Sequence, residues 1–409
     1  MSESIIDITK DVKWIGARDF NLVTFDIVME TAYGTTYNSY FINAEKPAII
    51  ETVKETFKDE FINKVKSLID PEKIEYIIVD HTEPDHAGSV RHLLRIAPQA
   101  TVVGSGNAIR YLQDMVDIPF KSKIVKDNET LSLGNKTLRF ISAPNLHWPD
   151  SIYTYLEEDN ILFTCDSFGA HYCNEKIFDD EVNQTEYIDA FKYYFDVILK
   201  PYSKYMIKAI DKINNLPIKF ICTGHGPILR TKWKEIVDLT YKLAQEHISK
   251  TNHQQKTILI TYISAYGYTK MMAETLAEGI NKANNCKVIL ADIEKMELGE
   301  IDSLLTLADG IMVGSPTINQ NTLLPVYRLF SMVNPIRDHH KLFMAFGSYG
   351  WSGEAVKIIN ATAKELKFTL FNDGIQAKFI PFNKQPFIEA GFNFAKELIN
   401  QKTTADNEK

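Results

Sequence analysis

The stretch "DHTEPDHAGS" at residues 80–89 places His81, Glu83, Asp85 and His86 within six positions. It follows "IEYIIVD" (74–80), an apolar run that reads as a buried strand, and precedes "SVRHLLRIAP", which reads as a helix. A tight loop after a strand turns neighbouring side chains in several directions, so such a run can converge on one point. Two uses are open. Asp85 or a neighbour caps the following helix and the histidines are surface polar groups, or the run binds metal. Three further residues weigh on the choice. His147 lies beyond "TLRFIS" in "APNLHWPDS", Asp166 closes "NILFTCD", and His225 follows "IKFICTG" in "GHGP". Each stands at the end of a short run rich in β-branched or aromatic residues. Strand ends in a sandwich share an edge, so four segments can supply one site.

The candidates are four histidines (His81, His86, His147, His225) and three carboxylates (Glu83, Asp85, Asp166). Seven ligands exceed what one tetrahedral zinc takes, and suit two metals if one carboxylate bridges. Cys165 precedes Asp166 in its strand and is expected on the opposite face. The donors are then nitrogen and oxygen, which suit iron, manganese or zinc. The four cysteines form no C-x-x-C pair, which removes a rubredoxin-type iron site, a zinc ribbon and a thioredoxin motif. They read as reduced thiols.

The second half has a different grammar. "KTILITYIS" (256–264), "CKVILADIE" (286–294), "ADGIMVGS" (308–315) and "KLFMAFGS" (341–348) are near-continuous apolar runs separated by helical stretches, the first spanning about 269–281. That alternation predicts a parallel, doubly wound sheet. The expected domains are 1–250 and 251–409, with the boundary in the polar stretch "EHISKTNHQQKT" (246–257), after the amphipathic segment 233–245. A net charge of −8 argues against nucleic acid or anionic membrane as a partner. No apolar run reaches the length of a membrane span, and "MSESIIDITKDVKWIG" lacks the features of a signal peptide. A cytoplasmic protein is expected.

In order, the strand, the H-x-E-x-D-H run, His147, Asp166 and His225 resemble the ligand series of the metallo-β-lactamase fold. Most hydrolases of that fold carry His at the third position of the first motif. Glu83 in that place is the mark of the flavodiiron proteins, and the resemblance spans roughly residues 1–400. It implies an α/β chain: a metallo-β-lactamase-like αββα sandwich, then a flavodoxin-like doubly wound sheet. It implies that His81, Glu83, His147 and Asp166 hold one iron, and that Asp85, His86, His225 and the bridging Asp166 hold the other. A carboxylate is a hard, negative ligand and favours higher iron oxidation states over neutral imidazole, which a redox centre needs and a hydrolytic zinc does not.

The loops of the second half extend the resemblance. "SAYGYT" (Ser264, Ala265, Tyr266, Gly267, Tyr268, Thr269) opens a helix as the phosphate loop of flavodoxins does, where amides and hydroxyls at a helix start take a phosphate. "GSPTINQNT" (314–322) supplies Ser315, Pro316, Thr317, Ile318 and Asn319. "FGSYGWSGEA" (346–355) supplies Gly347, Ser348, Tyr349, Gly350 and Trp351. Both resemble the loops beside the flavin ring, and one phosphate favours FMN. The family reduces O2 to water, NO to N2O, or both, with electrons passed from FMN. It implies a head-to-tail homodimer or a dimer of dimers, and an electron donor expected to be separate, a rubredoxin or F420H2. One departure stands out. Many members carry a histidine near the substrate pocket in the N-terminal segment, and residues 22–40 contain none. Asp26 or His171 is a candidate for that role. Two other functions remain open: a hydrolase of the metallo-β-lactamase fold with an appended flavodoxin, and an electron carrier that uses FMN alone.

Overall fold

Strands buried on both faces need a packed layer on each side, and the first half of the chain supplies three. In the computed structural model, which describes residues 5–25, 29–251, 255–296 and 298–401, alternate residues of the strands Ala48–Ile50 and Tyr76–Val79 enter two different cores. Ala48, Ile50 and Ile78 join Trp14, Phe140, Phe163 and Cys222 in one cluster. Ile49, Ile77 and Val79 join Phe61, Leu93 and Leu112 in another. The first cluster lies between a seven-stranded and a five-stranded sheet. The second covers their outer faces with the helices Lys58–Leu68, Val90–Ile96, Gly106–Met115, Gln184–Tyr194 and Ser203–Ile213. This is the αββα sandwich that the resemblance implied.

Parallel pairing brings strand ends together. Ala48–Ile50, Tyr76–Val79 and Thr101–Gly104 run parallel in the larger sheet. Ile161–Cys165 and Phe220–Thr223 run parallel in the smaller one. Glu51 and His81 therefore leave one sheet at neighbouring carboxyl ends, and Asp166 and His225 leave the other in the same way.

The chain divides into two compact units, 1–248 and 249–409. The helix Trp233–Thr251 runs into the polar stretch that reads as a linker, because its amphipathic pattern continues past residue 245. In the second unit the parallel sheet is ordered Cys286–Asp292, Lys256–Tyr262, Gly310–Gly314, Leu342–Tyr349 and Thr369–Leu370, with Ile375–Lys378 also beside Leu342–Tyr349. In chain order this is the 2-1-3-4-5 arrangement of a flavodoxin-like sheet. Tyr262 pairs with Gly314 and Gly314 with Phe346, so three loops begin at the same edge. Among the described residues, no helix is long and apolar enough to cross a membrane.

The helices Tyr268–Lys282 and Gln385–Asn400 cross at backbone contact. A Cβ on Gly279 would stand 2.1 Å from the Ile388 carbonyl oxygen, and one on Gly391 would stand 2.2 Å from that of Leu276. Alanine normally favours a helix by about 1 kcal/mol over glycine. Here the clash reverses the sign. Gly279→Ala and Gly391→Ala are each expected to destabilise the second unit by about 1–3 kcal/mol. Urea unfolding checks this, and a gain in stability would show that the two helices separate freely.

Candidate metal centre and flavin site

Pro84 sits in the first turn of the short helix Pro84–Ala87, where its missing N–H costs nothing. The turn directs Asp85 and His86 inward while Glu83 stays on the approach loop. No side chain caps this helix or the following Val90–Ile96. Asp85 is therefore not a helix cap, and the run is free for another use.

Its residues meet the distant ones in two groups. Donor atoms of His81, Glu83, His147 and Asp166 lie within 4.8 Å of one another, and so do those of Asp85, His86 and His225. Asp166 straddles the groups. Its Oδ2 is 3.5 Å from His81 Nε2 and 3.4 Å from His147 Nε2. Its Oδ1 is 3.1 Å from His86 Nε2 and 3.5 Å from His225 Nε2. Glu83 Oε2 lies 2.9 Å from His147 Nε2 and 3.3 Å from His81 Nε2. Asp85 Oδ2 lies 3.0 Å from His225 Nε2. All four histidines thus turn Nε2 inward.

Outer contacts hold the rings. Asp150 accepts from the Thr82 amide and hydroxyl at 2.8 and 2.7 Å and sits 3.2 Å from His81 Nδ1. The Thr36 carbonyl oxygen is 2.6 Å from His225 Nδ1. Tyr194 Oη donates to Asp166 Oδ1 at 2.9 Å. His171 lies beside the groups and belongs to neither: its Nδ1 is 2.9 Å from Thr35 Oγ1, and its ring packs on Phe25, Tyr194 and His225. Burial, reinforced by His225, holds His171 well below the usual histidine range, so it is neutral. Asp26 lies outside the described residues.

Strand alternation places Cys165 on the face opposite Asp166. The register shifts between Phe163 and Cys165, and Cys165 takes a left-handed φ of 48°. Alternation ends at that irregularity. The sulfur joins Glu51 and His86 in a third close group that does not include Asp166.

The electrostatics fit bound cations. Among the described residues, Glu83, Asp85 and Asp166 pair only with histidines, never with Lys or Arg. Both Asp85 oxygens and Asp166 Oδ2 are buried with no hydrogen-bond partner. Burial acts to raise Asp166, but His86, His147 and His81 outweigh it and hold the group well below the usual carboxylate range. Burial likewise opposes charge on His147, yet Asp166 and Glu83 push it up to about 9. Just beneath, burial pushes Glu51 up to about 8 and raises Asp80, whose Oδ1 accepts from Thr154 Oγ1 at 2.6 Å. Buried carboxyl groups without a cation to hold them ionised, beside seven converging N and O donors, fit a dinuclear metal centre.

In the second unit the three loops meet at the sheet edge. Gly267 is left-handed at φ 83°, with open space where a Cβ would stand. Gly267 has no side chain to cap the helix it opens, and Ser264 Oγ accepts from the Lys270 amide at 3.2 Å, which brings that hydroxyl to the helix start where amides can take an anion. Thr269 Oγ1 is 3.0 Å from Ser348 Oγ, and the Thr317 amide donates to the Ser348 carbonyl at 2.8 Å. Ser315 and Gly347 run at backbone contact: a Cβ on Gly347 would stand 2.3 Å from the Ser315 carbonyl oxygen. Tyr266 and Trp351 are 80% and 81% exposed, two large aromatics left in water on the loops that frame the edge. A phosphate-bearing flat ring fits this cradle.

Comparison with known proteins agrees with both halves. Residues 35–226 match the family described as "ODP family beta lactamase", and residues 260–388 match "Flavodoxin". The chain is 38% identical over 397 residues to the "Flavo-diiron protein FprA2" of Clostridium acetobutylicum, covering 96% of this chain and 98% of that one. It is 35% identical over 380 residues to the "Anaerobic nitric oxide reductase flavorubredoxin" of Salmonella arizonae, covering 91% of this chain and 78% of that one. The solved rubredoxin oxygen:oxidoreductase of Desulfovibrio gigas superposes with a TM-score of 0.67 at 29% identity, covering 97% of this chain and 98% of that one.

The raised histidines make metal uptake a proton exchange. In the metal-free protein His147 is protonated below about 9, and His81 and His86 are raised as well. Loading a divalent metal at pH 7 is expected to release more than one proton per chain, read as a buffer-dependent heat in calorimetry. His147 stabilises the metal-free fold fully below pH 6.5, its ordinary value, and this contribution is lost as pH rises through about 9. The metal-free protein should therefore melt at lower temperature at pH 9 than at pH 6.5. Loading without proton release would show that the histidines are neutral.

Proposed function

The chain belongs to the flavodiiron protein family, and from that membership we propose that it reduces O2 to water, NO to N2O, or both. It is an oxidoreductase with FMN and a non-haem diiron centre as cofactors. When bound, FMN stores and passes electrons and the two irons bind and reduce the diatomic. We assign His81, Glu83, His147 and Asp166 to one iron, and Asp85, His86, His225 and Asp166 to the other. The observation that carries this reading is the straddling Asp166, whose two oxygens face two separate donor groups. A carboxylate placed in this way could serve both groups, and two metals held there would supply binding places for two NO molecules or one O2.

The residues around the centre have distinct tasks. Asp150 and the Thr36 carbonyl fix the tautomers of His81 and His225. Tyr194 holds Asp166 and keeps a hydroxyl proton next to the centre. His171, neutral and with an unpartnered buried Nε2, offers a second polar group on the same side. In the flavin loops, we assign the amides after Gly267 with Ser264 and Thr269 to the phosphate. Residues 315–319 and 347–351 are assigned to the ring.

The electron donor is a rubredoxin or F420H2. The name of the Desulfovibrio gigas relative supports the first, and the name of the Salmonella relative supports NO as a substrate. The working unit is a head-to-tail homodimer, or a dimer of dimers, in which the flavin of one chain serves the iron pair of another.

Three outcomes test the reading. His147→Ala should retain FMN, lose most of its iron, and fall at least about 100-fold in O2 and NO consumption, since ligand loss removes the centre. Full activity in that variant sinks the ligand assignment. Glu83→His should shift metal content from iron towards zinc. A wild-type chain with two zincs and no iron would favour a hydrolase with an appended flavodoxin. Co-expressing His147→Ala with a chain disabled in its FMN loop should restore part of the activity in mixed dimers. No restoration would argue for transfer within one chain.

A further inference from the structure

Two fully buried polar atoms near the centre lack the partner that their neighbours have. His81 and His225 each anchor Nδ1 on an oxygen, while His86 Nδ1 has no partner. Oε2 of Glu51 is equally unmatched. The donor atoms of Glu51, His86 and Cys165 lie within 4.8 Å of one another. His86 Nε2 is turned the other way, 3.1 Å from Asp166 Oδ1. Of the two possible acceptors for Nδ1–H, a thiol is the weak one and a carboxylate the strong one; burial favours the protonated Glu51 in the metal-free protein, and the cations of a loaded centre would favour the carboxylate.

Glu51 is also built into the ligand loop. Its Oε1 accepts from the amides of Asp80 and His81 at 2.6 and 3.0 Å. Its own backbone is left-handed at φ 58°, tied by its amide to the Ile78 carbonyl and through its carbonyl to Ser39 Oγ. The next residue, Thr52, donates from both its amide and its hydroxyl to the His86 carbonyl, at 2.9 and 2.5 Å. One dipeptide thus clamps the run at its start and at its last ligand. A left-handed conformation is strained in a non-glycine residue, and here it aims the carboxylate beneath the loop.

We infer that Glu51 is a positioning residue for His86 in the metal-loaded protein: Oε1 holds the loop amides, and Oε2 accepts the Nδ1 proton of His86, directly or through one water. That contact fixes Nε2 as the nitrogen that faces the metal. The inference rests on the metal-centre reading above.

Glu51→Gln separates this role from loop capping. Glutamine keeps a carbonyl oxygen for the two amides, but its NH2 cannot accept from Nδ1–H. The full-length variant is titrated with Co(II) as the probe. The metal-free variant should melt with the metal-free wild type. One of its two Co(II) sites should weaken about 10- to 100-fold with a shifted ligand-field spectrum, while the other stays unchanged. Wild-type affinity and spectrum at both sites overturn the inference. So does a third Co(II) in the wild type with a thiolate charge-transfer band, since that would make Glu51, His86 and Cys165 a metal site of their own. If the variant does not fold, nitrogen-15 NMR of the zinc-loaded wild type decides. A slowly exchanging proton on His86 Nδ1 supports the role, and an unprotonated or fast-exchanging Nδ1 overturns it. A wild type that binds no metal at all refutes the metal-centre reading instead, so the two failures are distinguishable.

Discussion

Three buried carboxylates whose ion-pair partners among the described residues are all histidines set the terms for the first unit. Ionised groups removed from water cost several kcal/mol each unless charge and hydrogen bonds compensate them. Glu83, Asp85 and Asp166 meet no Lys or Arg among the described residues. Without metal, compensation falls to histidines that must then be charged, and burial opposes their charge too. Divalent cations resolve both conflicts, since they hold the carboxylates ionised and need the imidazoles neutral. The fold is arranged around that need. Parallel strands end together, a proline-started turn faces inward, and Asp150 and the Thr36 carbonyl present the histidines by Nε2.

The same logic explains which parts of the site are legible from residues alone. His81 to His86, His147, Asp166 and His225 follow or end apolar runs long enough to read as strands, so their convergence is foreseeable. The strands Thr35–Tyr37 and Ala48–Ile50 are too short for alternation to register. Thr36 and Glu51 therefore go unnoticed, the first in a polar segment and the second as one carboxylate after three apolar residues. Tyr194 stands in a helix 28 residues from its partner Asp166, and no local pattern links them. Asp150 had a signal in the same loop as His147, three residues on. Cys165 marks a different limit: period-2 reasoning is sound along a regular strand, and the register shifts at Cys165.

In the second unit the loops are legible because glycine and hydroxyl residues mark them. What glycine does differs from place to place. Gly267 supplies a left-handed turn, whereas Gly347, Gly279 and Gly391 admit backbone at contact distance. The first use shapes a ligand loop and the others pack the scaffold that carries it, a distinction that depends on tertiary neighbours.

Three left-handed, non-glycine residues stand at the metal edge: Glu51, Cys165 and Phe168. Each costs roughly 1–3 kcal/mol, so surrounding contacts must hold it in place. Phe168 is fully buried, and the Cys165 carbonyl accepts from the Gly224 amide, next to His225. Gly224 itself has no room for a side chain, since a Cβ would stand 2.6 Å from the His86 ring. Strain at Cys165 thus joins the Asp166 segment to the His225 segment, as strain at Glu51 joins a third strand to the run from His81 to His86. A regular strand end could not make these joins, because its side chains and carbonyls alternate. The strained positions thus make two joins between segments far apart in the chain, the Asp166 segment to the His225 segment and the Glu51 strand to the run from His81 to His86.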